Sequence, residues 1–134
     1  MAAQAPAVLI TALNEGDRIG ATIGALRGRW PDATVVVADD GSTDDTAERS
    51  REAGAEVVSP GRDIGKGGAA SLGAERVLEL APRVVLLCDG DLGESAARLD
   101  RLVEAVEQAD GGLAVAVFAR RVGGGFGFAV GFAH

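Results

Sequence analysis

Short apolar runs alternate with helical periods along the chain, and most of these runs empty into acidic or glycine-containing segments. The runs are Ala7 to Leu13 (AVLITAL), Ala33 to Ala38 (ATVVVA), Ala55 to Val58, Arg83 to Cys88 (RVVLLC) and Leu113 to Phe118. Near-continuous apolar character over so few residues suits strands buried on both faces of a parallel sheet. Between them, Ile19, Ile23, Leu26 and Trp30 share one helical face that Pro31 closes. A short charged helix is expected from about Thr46 to Gly54, and Ser59 to Gly68 reads as a loop. Ala70, Ala74, Val77 and Leu78 stripe a helix from Ala69 to about Leu80. Leu99, Leu102, Val103 and Val106 stand in i, i+3, i+4, i+7 register on a helix from Ser95 to Gln108. Strands alternating with helices require right-handed crossovers. The fold class is therefore α/β, a doubly wound, mostly parallel sheet with flanking helices.

Composition narrows the function. Hydrophobic residues make up 47% and charged residues 25%, the profile of a folded domain rather than a disordered tail. A formal net charge of -7 disfavours non-specific nucleic-acid binding, which depends on basic residues neutralising phosphates. A single cysteine, Cys88, excludes an internal disulfide framework and a cysteine-based zinc cluster, and fits a reducing, cytoplasmic setting. No apolar run approaches the ~20 residues of a membrane span. The start, Met1 to Pro6, lacks the basic region and long apolar stretch of a signal peptide.

The last twelve residues, Gly123 to His134, hold three of the chain's four phenylalanines. Phe126, Phe128, Val130 and Phe132 alternate with small residues. With no segment to cover it, this apolar stub is expected to be exposed or loosely packed and to favour self-association into a homo-oligomer. It reads as the start of a truncated segment. The chain accordingly divides into residues 1–122 and residues 123–134.

In open α/β sheets, ligands sit beyond the carboxyl ends of the strands. The residues that can do chemistry all fall there: Asn14-Glu15, Asp39-Asp40, the Lys66 loop, and Asp89 with Asp91. Asp89-Gly90-Asp91 sets two carboxylates one residue apart as the chain leaves a buried strand, and glycine keeps the space beside them clear. Hard oxygen ligands of this kind suit Mg²⁺ or Mn²⁺, which take further ligands from a substrate's phosphates. Read alone, the tripeptide fits a helix-capping turn more readily than a metal site. Asp39-Asp40-Gly41-Ser42-Thr43-Asp44 holds obvious capping residues, yet capping does not require adjacent aspartates at the strand end. An aspartate there can accept from a base N–H or a ribose hydroxyl. Gly61 to Gly68 matches neither a Walker A loop nor a dinucleotide fingerprint in full, and leaves a Gly-rich backbone with one cation ahead of a helix. Cys88 reads as a small core residue, and the terminal His134 has no triad to join.

Taken together and in order, Leu13-Asn14-Glu15, Val37 to Thr46 (VADDGSTDDT), Gly65-Lys66-Gly67-Gly68-Ala69 and Asp89-Gly90-Asp91-Leu92 resemble family-2 glycosyltransferases. The likeness is strongest to the branch of dolichyl-phosphate mannosyltransferases and glucosyl-phosphoglycerate synthases, and it runs from Ala7 to about Arg121. The resemblance implies a GT-A fold, a UDP- or GDP-sugar donor, Mg²⁺ or Mn²⁺, and inversion at the anomeric carbon. It implies that Leu13, Glu15 and Asp39 line the nucleoside, with Asp40 supporting that loop and Lys66 against the nucleotide. Asp89 and Gly90 then face the ribose or donor sugar, Asp91 with Asp89 holds the metal, and Arg120 lies near phosphate. This chain has Thr11 where those enzymes often carry proline, Leu13 near a common aromatic position, and Gly90 for the commoner alanine. The implied acceptor is a polyprenyl phosphate or a small phosphorylated acid, at the inner face of the membrane, and the general base is expected beyond His134. Two other readings stay open. One is a nucleotide-binding module without turnover; the other is a sugar-phosphate nucleotidyltransferase, which would want a Gly-rich, Arg-containing loop where Thr11 to Glu15 stand.

Overall fold

The structure, a computed structural model, describes residues 5–60, 65–115 and 128–131. Strands β1 (Ala7–Ala12), β2 (Val35–Asp39), β3 (Glu56–Val58), β4 (Val84–Asp89), β5 (Gly112–Val115) and β6 (Phe128–Gly131) form one six-stranded sheet in the order β3-β2-β1-β4-β6-β5. The first four strands are mutually parallel, and β6 runs antiparallel to both β4 and β5. The expected parallel alternation thus holds through β4. Beyond it the sheet is mixed.

Period-two alternation along the central strands builds two cores. Val8, Ile10, Val35, Val37, Leu86 and Cys88 point to one face. There they meet Ile19, Ile23 and Leu26 of α1 (Ile19–Arg29) and Val103 and Val106 of α4 (Asp100–Gln108). Leu9, Val36 and Ala38 point to the other face, against Ala69 and Val77 of α3 (Lys66–Glu79). Gly73 lets α3 approach closely, since a Cβ there would lie 2.3 Å from Leu9 Cδ1 and 3.1 Å from Ala38 Cβ. The charged helix α2 (Thr46–Glu52) ends just before Gly54, whose φ of +96° is the left-handed stop expected of it.

Three expectations are corrected. The loop drawn through Gly68 ends at Gly65, and Lys66, Gly67 and Gly68 already belong to α3. Paired glycines have poor helix propensity, so this first helical turn does not show in the sequence. The Ser95–Gln108 helix is in fact two elements, a 3₁₀ segment Gly93–Leu99 followed by α4. Ser95 explains the tightening, because its N–H and its hydroxyl both donate to the Leu92 carbonyl, at 3.3 and 2.5 Å. The third concerns the chain's end. Phe128 and Val130, expected in an unpartnered stub, lie on β6, hydrogen-bonded on both sides between β4 and β5. An apolar alternating segment finds a sheet to complete. Phe126 and Phe132 lie outside the described residues, as do 116–118 of the expected fifth strand.

Candidate functional site

The chain order reverses between β1 and β4: β2 and β3 extend the sheet on one side of β1, and β4 starts the other. A crevice opens at such a reversal, beyond the carboxyl ends of the strands. Thr11 and Asp89 are register partners there, and the Thr11 hydroxyl donates to Asp89 Oδ1 at 3.3 Å within the buried floor.

Two loops build one wall. Asn14 adopts a φ of +52°, which turns the chain after β1 and aims three successive backbone N–H groups at the loop after β2. Asn14 N–H donates to Ser42 Oγ at 2.8 Å, Glu15 N–H to Thr46 Oγ1 at 2.9 Å, and Gly16 N–H to Asp44 Oδ2 at 3.0 Å. Asn14 Oδ1 accepts the Thr43 N–H at 2.9 Å in return. Asp44 Oδ1 also accepts the N–H and the hydroxyl of Thr46, and these bonds hold its carboxyl below the usual range. Asp39 Oδ1 accepts the Ser42 N–H at 3.1 Å and its hydroxyl. Much of the Asp39 to Thr46 segment therefore stitches loops together. This is a larger structural share than helix capping alone, and single-chain motif reading had no signal for it.

The other wall is the turn after β4. Asp39, Asp40 and Asp89 are buried, and Asp91 is partly buried. Among the described residues, Asp91 Oδ1 is a fully enclosed side-chain oxygen with no hydrogen-bond partner. Glu15 ionises less readily than a free carboxyl, first because of burial and then because of the charges on Asp91 and Asp89. An enclosed carboxylate oxygen without a hydrogen-bond partner leaves a lone pair free to take a cation. The donor set is all hard oxygen, so the residues fit Mg²⁺ or Mn²⁺. The described residues do not by themselves assemble three ligands into a closed metal cage.

Gly90 sits against the end of α1, where a Cβ would come within 3.0 Å of Ile19 Cδ1. Leu13, just after β1, is 45% exposed. Lys66 opens α3, behind Gly65 with its φ of +85°. Arg120 lies outside the described residues. Burial and the charges of Asp89 and Asp91 push the Cys88 thiol up, which leaves it the inert core residue expected. Sequence reading missed Thr22, Thr46 and Asp44 as organisers of the site. All three act through backbone atoms of distant loops, which leave no mark on local sequence.

Comparison with known proteins decides the family. A match to the family model for Glycosyl transferase family 2 spans residues 7–130. The chain belongs to that family. It is 34% identical over 122 residues to an undecaprenyl-phosphate mannosyltransferase of Micrococcus luteus, covering 87% of this chain and 49% of that protein. A crystal structure of a mycobacterial protein superposes with a TM-score of 0.64 at 35% identity, covering 82% of this chain and 39% of that one. Glucosyl-3-phosphoglycerate synthase from Mycobacterium tuberculosis, in complex with Mn²⁺, UDP-glucose and phosphoglyceric acid, gives a TM-score of 0.58 at 31% identity. That match covers 74% of this chain and 37% of the synthase. The chain thus spans about half the length of the curated relative it matches, and less of the solved structures. The family-2 transferase fold is the one the sequence motifs implied. Among the described residues, no helix is long and apolar enough to cross a membrane.

Proposed function

We propose that this chain carries the donor-binding residues of a glycosyltransferase that moves a sugar from a nucleoside-diphosphate sugar to an acceptor, with metal assistance and inversion. The observation that carries the reading is Asp91 Oδ1, enclosed and unpaired beside Asp89 and Glu15 at the sheet's switch point. Asp91, with Asp89, holds the divalent ion in the Asp-x-Asp manner. When bound, that ion offsets the charge of the diphosphate as the glycosidic bond breaks.

The remaining residues bind and orient. Leu13 offers its exposed face to the base, Glu15 and Asp39 accept from the nucleoside, and buried Asp40 supports their loop. Gly90 keeps the backbone low beneath the donor, while Lys66 and Arg120 balance the phosphates in a chain of net charge -7. UDP is the first nucleotide to test, since a solved relative binds it with Mg²⁺. A phosphorylated acceptor is common to both named relatives, as a polyprenyl phosphate in one and a small phosphorylated acid in the other. A cytoplasmic protein working at the inner face of the membrane fits the first of these.

A thermal-shift panel of UDP, GDP and their sugars, with and without Mn²⁺, tests the reading. A ligand bound only by the folded form raises the melting temperature by mass action. UDP or GDP with Mn²⁺ is expected to raise it more than either component alone. No shift with any nucleotide in the presence of metal refutes the proposal. Acceptor class is read by offering labelled donor sugar with polyprenyl phosphate in one arm and phosphoglyceric acid in the other.

A further inference from the structure

Asp91 stands in the middle of a turn that it does not itself secure. Thr22, on α1 and wholly buried, reaches that turn from below. Its Oγ1 donates to the Gly90 carbonyl at 2.8 Å and accepts the Gly93 N–H at 2.8 Å. One hydroxyl thus closes a loop around Asp91 and Leu92. A threonine within a helix ordinarily back-bonds to the carbonyl four residues earlier. Here that carbonyl, Arg18, is the longer partner at 3.2 Å. Gly90 N–H adds a third anchor through the Thr11 carbonyl at 3.2 Å, and Gly93 takes a φ of +56° to bring its N–H round.

This fastening explains how Asp91 Oδ1 can stay enclosed without a partner. A free turn would swing the carboxylate out into water and escape the desolvation cost. With the turn pinned on both flanks of Asp91, the backbone's share of that relaxation is blocked. We propose that Thr22 is a positioning residue for the metal site: its hydroxyl holds the Gly90–Gly93 backbone so that Asp91 is presented before the ion arrives. The inference rests on the assignment of Asp91 as metal ligand made above. It adds a residue that touches neither metal nor nucleotide, acting through the ligand's own backbone. Groups that orient ligands from outside the coordination sphere typically carry roughly 10–100-fold in metal affinity.

The test compares wild type, Thr22→Val and Thr22→Ser in the full 134-residue chain. Valine keeps the side chain's volume and removes only the hydroxyl, while serine restores the hydroxyl. Free Mn²⁺ is measured by electron paramagnetic resonance in the presence of UDP, UDP affinity is measured separately in EDTA, and melting temperature is recorded for each variant. Thr22→Val is expected to weaken Mn²⁺ binding by about 10–100-fold, to leave UDP affinity in EDTA unchanged, and to be rescued by Thr22→Ser. A Thr22→Val chain that melts lower yet binds Mn²⁺ as wild type does overturns the proposal, since the hydroxyl is then merely structural. Wild type that binds UDP but no Mn²⁺ overturns the metal assignment itself, and this proposal with it. Should Thr22→Val fail to fold, hydrogen exchange on metal-free wild type decides. A protected Gly93 amide supports the preset turn, and exchange at the rate of an exposed loop amide contradicts it.

Discussion

The backbone N–H of Glu15 is held by the hydroxyl of Thr46 at 2.9 Å, although the two residues follow different strands. Thr46 is wholly buried and its hydroxyl donates a hydrogen bond to Asp44 Oδ1, while Asp44 Oδ2 accepts the N–H of Gly16. The backbone of Glu15, a carboxylate that burial and Asp91 make harder to ionise, is therefore placed by the loop that bears the Asp-Asp-Gly-Ser-Thr-Asp motif.

Asp44→Ala removes that shared acceptor and should lower stability by about 1 kcal/mol, the scale of a lost helix cap. Its hydrogen bonds, led by Thr46, hold the folded-state pKa below the ordinary value. The stabilisation is thus present above the unfolded pKa and is lost as pH falls through the depressed one. Chemical denaturation of wild type and variant across the acid range should show the two curves converging at low pH. A constant gap would mean the charge plays no part.

Asp39→Ala should weaken UDP binding by roughly 1.5–3 kcal/mol, as for a lost charge-assisted hydrogen bond, with or without metal. Because Asp39 also accepts from Ser42, some loss of melting temperature accompanies it. Calorimetry with UDP in EDTA separates the roles: a lower melting temperature with unchanged affinity makes Asp39 a loop organiser alone.

Asp91→Asn should leave melting temperature unchanged or raise it, because the enclosed oxygen it alters has no partner to lose. Glu15 is pushed above the ordinary value by burial first and Asp91 second, so its pKa should fall in the variant. A raised carboxyl pKa favours the fold below the unfolded value, and that contribution is lost as pH rises through the folded one. Following the Glu15 side chain by NMR titration reads the shift directly, and an unmoved titration would separate the two carboxylates.

Packing gives a control away from the chemistry. Gly73→Ala places a Cβ 2.3 Å from Leu9 Cδ1 and should cost about 1–3 kcal/mol through overpacking. Gly24→Ala, on the exposed side of α1 with no heavy atom within 4 Å of its Cβ, should instead stabilise by about 0.5–1 kcal/mol. Urea denaturation of both variants checks the opposite signs.

The parallel half of the sheet was legible because β1, β2 and β4 are apolar along nearly their whole length, and only a strand covered on both faces tolerates that. Glu15, Asp39 and Asp89 were legible because they end those strands, where position implies a site. The antiparallel entry of β6 was not. Its alternating pattern suits any sheet edge, and only the gap beside β4 selects it. Thr22 was equally hidden, since a threonine within an amphipathic helix looks like filler until the Gly90 carbonyl is seen 2.8 Å away. Lys66 to Gly68 misled for the opposite reason, since their glycines disfavour the helix that they nonetheless open.

Titration of UDP into wild type and Asp91→Asn, each in Mn²⁺ and in EDTA, tests the central claim most directly. Wild type should bind UDP more tightly with Mn²⁺ than in EDTA, and Asp91→Asn should show no difference between the two. Equal affinity of the wild-type chain in Mn²⁺ and in EDTA would contradict the assignment of Asp89-Gly90-Asp91 as the metal-bearing turn.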